Sequence, residues 1–341
     1  MTSLLAVDHL SKHFPFRRGL FRGAGVVRAV DDVSFTLGRG ETLAIVGESG
    51  CGKSTVARLI LRLIAPTAGT IRLDGADITK ASGASLFAAR RNMQMVFQDP
   101  LASLNPRLTA REIIAEPLIN YGAAAGEALE ATVDTLFEQV GLARYQADRY
   151  PHEFSGGQRQ RIGIARALAL DPALVVADEP VAALDVSIQA QILNLMQDLQ
   201  RARDLAYLFI SHDLSVVEHV SRTVAVMYLG AIVEIAPREA FFRAPLHPYS
   251  RALIDSVPIT HPRQRGSRRL LAGEIPSASA LPSGCRFRTR CPLASAICAE
   301  VPPPLQEKRP GHKVACHMVA SDIPPAATGG TGTTSVQGRE A

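Results

Sequence analysis

Residues 42–47 (TLAIVG) run apolar without alternation and end on glycine, the pattern of a strand buried on both faces that breaks into a loop. Residues 53–64 (KSTVARLILRLI) then switch to helical spacing at Val56, Leu59, Ile60 and Leu63, and Pro66 stops them. Two further apolar runs, 174–178 (LVVAD) and 206–211 (AYLFIS), have the length of core strands, and 186–200 between them reads as a helix. That alternation predicts an α/β fold with a mostly parallel sheet. Segments 4–10 and 26–37 alternate and suit an antiparallel β subdomain. Residues 223–228 and 231–235 flank Gly230 as a hairpin. The stretch 101–170 carries helical patterns and no strong strand, which predicts an inserted helical subdomain.

After residue 244 prolines recur, and 321–341 lacks any core pattern, which predicts a small C-terminal extension and a disordered tail. The expected organisation is therefore a domain over 1–244, a C-terminal region over 245–320, and the tail.

A chain of 341 residues with 47% hydrophobic and 20% charged residues is ordinary for a globular protein able to bury a full core. No run reaches the ~18 apolar residues of a membrane span, and no secretory signal opens the chain. A cytosolic protein, able to sit against a membrane partner, is expected. The net charge of +5 raises a nucleic-acid reading. The excess lies in short patches (Arg17, Arg18, Arg22; Arg263, Arg265, Arg268, Arg269) without a recognition motif, so solvated linkers explain it better.

Gly47, Gly52, Lys53 and Ser54 satisfy G-x-x-x-x-G-K-[ST], placed between a strand and a helix as a phosphate-binding loop must be. Such glycines free backbone N–H groups to face phosphate oxygens at a helix N-terminus. Lys53 would reach the β- and γ-phosphates and Ser54 would ligate Mg²⁺. Asp178, ending an apolar strand, suits a second Mg²⁺ contact, and Glu179 suits a water-polarising carboxylate. A Ser-Gly-Gly turn at 155–157 opens another helix and could cradle an anion or merely cap the helix.

In combination these segments resemble the ATP-binding subunits of ABC transporters. GESGCGKST (Gly47, Glu48, Ser49, Gly50, Cys51, Gly52, Lys53, Ser54, Thr55) resembles the Walker A loop, and FSGGQRQ, with Ser155, Gly156, Gly157 and Gln158, the family signature. LVVADE resembles Walker B, AALD ending at Asp185 the D-loop, Gln98 the Q-loop glutamine, and His212 the switch histidine. Phe14 stands where the family carries an adenine-stacking aromatic. The resemblance implies two such domains paired head to tail, each signature closing on ATP held by the other's Walker A loop. It also implies catalytic roles for Glu179, His212 and Gln98, and a Mg²⁺ site formed by Ser54, Gln98 and Asp178.

PLHPYSRAL at 245–253, QDPLASLNPR at 98–107 and ADEPVAALDVSIQAQIL at 177–193 are similar to the dipeptide, oligopeptide and nickel importer ATPases. Val181 and FPFRRGLFRG look more like the F-type subunit than its D-type partner. This implies a heterodimer with a D-type ATPase subunit, separate membrane permease subunits and a solute-binding protein, at the cytoplasmic face of the membrane. Dipeptides, longer peptides, nickel chelates and glutathione-like solutes all stay open. A reading from another class is a non-transport ABC protein acting on nucleic acid or ribosomes, but the second cassette or long coiled coil usual in such proteins is absent from this sequence.

Cys285, Cys291, Cys298 and Cys316 fall within a short C-terminal stretch, a grouping that in a cytosolic chain suggests metal more than disulfides. Their C-x5-C-x6-C-x17-C spacing is longer than the pairs of common zinc sites. The stretch resembles an importer-ATPase tail in which four cysteines can hold a [4Fe–4S] cluster; zinc or inert thiols are the alternatives.

Overall fold

The computed structural model describes residues 3–18, 22–256 and 273–321. The basic patch at 263–269, the side chains of Arg17, Arg18 and Arg22, and the tail beyond Ser321 lie outside that description. The chain begins with β1 (Leu5–Arg18) folding back on β2 (Arg22–Leu37), then enters β3 (Thr42–Val46) and α1 (Lys53–Ile60). Next come β4 (Ala68–Leu73), β5 (Ala76–Asp77), α2 (Gly83–Arg91) and β6 (Met93–Val96). β1, β2, β4 and β5 form one antiparallel sheet in the order β2-β1-β4-β5.

The stretch expected to be helical contains α3 (Pro100–Ser103), α4 (Ala110–Asn120), α5 (Gly126–Gln139) and α6 (Gly156–Leu168), with short 3-10 turns before α6. The chain then alternates through β7 (Leu174–Asp178), α7 (Val186–Arg203), β8 (Ala206–Ser211), α8 (Leu214–Val220) and β9 (Thr223–Tyr228). Strand β10 (Ala231–Pro237) turns back on β9, and α9 (Arg238–Arg243) and α10 (Pro248–Asp255) follow. The C-terminal region adds α11 (Ile297–Glu300), β11 (Gln306–Arg309) and β12 (His312–Val314).

The larger sheet runs β11-β12-β10-β9-β3-β8-β7-β6. Its strands from β9 to β6 are parallel, and β10, β12 and β11 extend one edge antiparallel. Both faces are covered, which is why its strands read as unbroken apolar runs. Ala44, Val175, Ala177, Phe209 and Val226 face the helical layer. Leu43, Ile45, Val176, Leu208 and Ile210 face α1 and the antiparallel sheet. Burying each large aliphatic side chain contributes roughly 1.5–3 kcal/mol, so the parallel strands are the most firmly specified part of the molecule.

Two expectations need adjusting. The helix after the phosphate loop ends at Ile60 rather than at residue 64. Arg62 takes a left-handed backbone (φ 54°), and Arg90 of α2 donates to the carbonyls of Leu61 and Arg62, so the terminal carbonyls are satisfied without another turn. The C-terminal extension also lends β12 and β11 to the main sheet, an addition unmarked by any apolar run because β11 (QEKR) is largely exposed.

Candidate active site

Strand β3 delivers the chain to the loop from a fully buried position, and α1 begins at Lys53. Gly47 (φ 152°) and Gly52 (φ 111°) leave no room for a side chain: an added Cβ would come within 2.2 Å of the Met227 carbonyl at Gly47 and within 2.1 Å of the Ala29 carbonyl at Gly52. Only glycine admits those close backbone approaches. Gly50, with Ser49, sits at the exposed crest. Lys53 is buried, and its ammonium donates to the carbonyls of Gly47 (2.8 Å) and Glu48 (3.1 Å), folded back into the loop it serves. Cys51 is buried beside it, and burial pushes its thiol above the ordinary cysteine value. Thr55 is half-buried on the first turn of α1.

Ser54 donates its hydroxyl to Asp178 (3.1 Å), bringing together two residues 124 positions apart. Burial pushes the Asp178 carboxyl up, and the Ser54 hydrogen bond offsets part of that rise. Hard oxygen donors on a helix N-terminus and a strand end fit a Mg²⁺ site. The next residue, Glu179, adopts a left-handed backbone (φ 47°), an uncommon conformation for a side chain of that size, and its N–H donates to the Ile210 carbonyl (2.9 Å). This conformation aims the carboxylate into a junction. Gln98 donates to one oxygen (3.1 Å), and His212 Nδ1 lies 3.1 Å from the other. Three side chains from the ends of β6, β7 and β8 thus meet at the carboxyl edge of the parallel sheet, where open α/β sheets bind ligands.

Elsewhere the placement is looser. Phe14 is 39% exposed on β1, with the Lys12 ammonium 5.1 Å from its ring centre, leaving an aromatic face at the surface. Ser155 caps α6, its hydroxyl accepting from Gln158 N–H while Gln158 returns the contact to Ser155 N–H (3.0 Å). Gly157 packs so tightly on Ile188 of α7 that a Cβ would approach within 2.5 Å. Asp185 precedes α7 as its exposed N-cap residue. No hydrogen bond joins this signature turn to the Gly47–Thr55 loop among the described residues.

The four C-terminal cysteines are neighbours. Burial first, and then the other thiols of the group, hold Cys285, Cys291 and Cys316 above the ordinary cysteine value. Among the described residues no group of three or more His, Cys, Asp or Glu side chains is arranged to hold a metal ion, so the expected [4Fe–4S] or zinc site finds no support in the structure.

Sequence reasoning missed two residues that touch the phosphate loop. Tyr249 accepts a hydrogen bond from the Glu48 N–H (2.9 Å), and Arg290 clasps the Glu48 carboxylate with both amino groups (2.7 and 2.9 Å). Their positions, in the His-Pro-Tyr segment and just before Cys291, were visible; the partner more than 200 residues away was not.

Comparison with known proteins agrees with this geometry. Residues 30–182 match the model of the ABC transporter family, and residues 233–298 match that of the oligopeptide/dipeptide transporter C-terminal region. The chain is 53% identical over 330 residues to the probable peptide ABC transporter ATP-binding protein y4tS of Sinorhizobium fredii, covering 95% of this chain and 94% of that one. It is 55% identical over 322 residues to the oligopeptide transport ATP-binding protein AppF of Bacillus subtilis, covering 93% and 97%. Among solved structures, the ATP-binding cassette MJ0796, a dimer in a post-hydrolysis state with ADP and Pi, superposes with a TM-score of 0.61 at 28% identity, covering 69% of this chain and 98% of that one. The chain therefore belongs to the ABC transporter family, as an ATP-binding subunit that carries the oligopeptide/dipeptide transporter C-terminal region.

Proposed function

We propose that this subunit hydrolyses ATP at a site shared with a second ATPase subunit and thereby drives a peptide importer. The observation that carries the reading is the meeting of Gln98 and His212 on Glu179, beside the Ser54–Asp178 pair. Glu179 would orient and polarise the attacking water, its carboxylate held in place by Gln98 on one oxygen and His212 on the other. His212 would contact the γ-phosphate side of that water, and Gln98 would link the site to the permease. Lys53 would exchange its loop carbonyls for phosphate oxygens, and Phe14 would stack on adenine. Ser54, Asp178 and Gln98 would hold Mg²⁺, which when bound neutralises charge on the β- and γ-phosphates.

The separation of Ser155, Gly156, Gly157 and Gln158 from the Gly47–Thr55 loop supports completion in trans, with Asp185 at the junction. The relatives' names support a peptide solute, and the Val181 context supports a D-type ATPase partner. Two permease subunits and an extracytoplasmic solute-binding protein complete the assembly. No helix among the described residues is long and apolar enough to cross a membrane, in keeping with peripheral attachment at the cytoplasmic face. Exposed Phe97 and Leu101 beside Gln98 offer an apolar contact for the permease. The cluster or zinc reading of the four cysteines rests on the sequence alone, on their grouping and, for the cluster, on the resemblance. An absorbance spectrum after anaerobic purification decides it, a colourless zinc-free protein removing both metals.

The test of transport is uptake of labelled di- and oligopeptides into vesicles containing the assembled importer. ATP-dependent peptide uptake is expected. Uptake only of nickel chelates or glutathione-like solutes would replace the solute class. Stable association with nucleic acid or ribosomes, without recruitment to a permease, would sink the importer reading.

A further inference from the structure

The phosphate loop is gripped from outside the cassette. Glu48 turns its N–H to Tyr249 and its carboxylate to Arg290, both of the C-terminal region. The Arg290 side chain is only 5% exposed and the Glu48 side chain 24%. Arg290 lies over the Tyr228 ring (5.9 Å), and Tyr228, Tyr249 and Phe287 are all buried, with ring centres 4.7–5.4 Å apart. The carboxylate hydrogen bonds hold the Arg290 guanidinium more firmly protonated than usual. A second point of grip lies next to the first. Gly230 N–H donates to the Cys51 carbonyl (2.9 Å), and the carbonyl of adjacent Leu229 accepts from Arg286, which also pairs with Asp31. Within 286–290, between two of the cysteines, Arg290 therefore touches the start of the loop, and Arg286 holds the Leu229–Gly230 turn that touches its middle.

We propose that Arg290 and Tyr249 are positioning residues for ATP binding: they fix the start of the phosphate loop and neutralise the one carboxylate it carries. Two physical effects act together. A loop already held in its binding shape gives up less conformational freedom when ATP arrives. A bidentate arginine also cancels a negative charge that would otherwise stand beside the incoming triphosphate. Tyr249 holds the backbone and Arg290 the charge, so loss of either weakens nucleotide binding without touching Glu179, Gln98 or His212.

ATP binding to the full-length chain, with Mg²⁺ present, tests this, together with KM and kcat in the assembled importer. Arg290→Met is expected to weaken ATP binding about tenfold and raise KM by a similar factor, with kcat within about twofold of wild type. Glu48→Gln combined with Arg290→Met removes the orphaned carboxylate and is expected to recover most of that loss. A purely structural role for Arg290 would instead lower the thermal stability of the ATP-free chain and leave the affinity of the folded fraction at the wild-type value. Wild-type affinity in Arg290→Met, or a double variant as weak as the single, overturns the proposal. Should Arg290→Met not fold, Tyr249→Phe decides, because it deletes one hydroxyl. An increase of about three- to fivefold in KM is expected, and an unchanged KM overturns the clamp. The inference rests on the ATPase reading: a wild-type chain that binds no ATP overturns both, whereas wild-type binding with unaffected variants overturns the clamp alone.

Discussion

Two carboxylate–histidine pairs divide the labour in this molecule. Glu179 and His212 lie 3.1 Å apart with side chains 16% and 59% exposed. Glu234 and His312 lie 2.6 Å apart with side chains 0% and 2% exposed. The same chemistry occupies opposite environments. Glu179 stands on a left-handed backbone and, among the described residues, has two side-chain partners, Gln98 and His212. Glu234 is saturated: it accepts from His312 and from the backbone N–H groups of Leu246 (2.7 Å) and His247 (2.9 Å). It thereby ties β10, β12 and the start of α10 into one body. Access to solvent and spare hydrogen-bonding capacity, not residue type, separate the carboxylate proposed to be reactive from the structural one.

Substitution of each glutamate should break the comparison in opposite directions. Glu179→Gln is expected to lower ATP turnover by about 10²–10⁴-fold while leaving nucleotide binding and thermal stability near wild type. Normal turnover in the assembled importer would remove Glu179 from the catalytic role. Glu234→Ala is expected to cost about 3–5 kcal/mol of stability, read by denaturant unfolding, because it strands His312 and two buried N–H groups. A Glu234→Ala protein as stable as wild type would refute the structural assignment.

Acid sharpens the same contrast. Burial lowers His247 to about 4, and the nearby Glu234 charge and a hydrogen bond to the Ala315 backbone offset only part of that fall; its Nδ1 accepts from the Tyr249 N–H. Between the unfolded value of 6.5 and about 4 the unfolded chain binds the extra proton, so stability is complete above this window and falls as pH drops through it. The loss is about 3 kcal/mol by pH 4. Burial raises Glu234, but its hydrogen bonds from His312 and from the Leu246 and His247 backbone outweigh that and leave it below the usual carboxylate value. Its own contribution is lost only at still lower pH. His247→Asn, which keeps an N-cap acceptor for α10, is expected to flatten the stability profile between pH 6.5 and 4. An unchanged slope would place the titration elsewhere.

The smallest effect concerns the signature turn. Ser155→Ala is expected to cost about 1 kcal/mol of helix-cap stability, measured by thermal unfolding. If Ser155 also completes a partner's site, the variant should lower turnover only when it is assembled with a second ATPase subunit. Equal loss in the isolated chain and the assembly would reduce the residue to a cap.

Much of the site was legible because its chemistry is local. Gly47 to Thr55 is one contiguous loop in which close backbone approaches dictate Gly47 and Gly52, and LVVADE places Asp178 and Glu179 at the end of one strand. Gln98 and His212 were weak signals alone, and their order relative to those segments singled them out. The Glu48–Arg290 pair was not legible, because a salt bridge spanning 242 positions has no periodicity and uses residues common on any surface. Strands β11 and β12 escaped notice for a related reason. They are short and polar, and only the open edge of β10 tells them where to pair.

The sequence by itself determined that phosphate is gripped between a strand and a helix, that the parallel strands are buried on both faces, and that carboxylates follow the second core strand. Each of those facts is written in neighbouring residues, where sterics and apolar periodicity act over a few positions. Tertiary structure alone decided that three strand ends bring Gln98, Glu179 and His212 to one point. It also decided that the C-terminal region holds the phosphate loop from behind. Those contacts depend on burial and on long-range pairing, and an isolated stretch of chain holds no record of either.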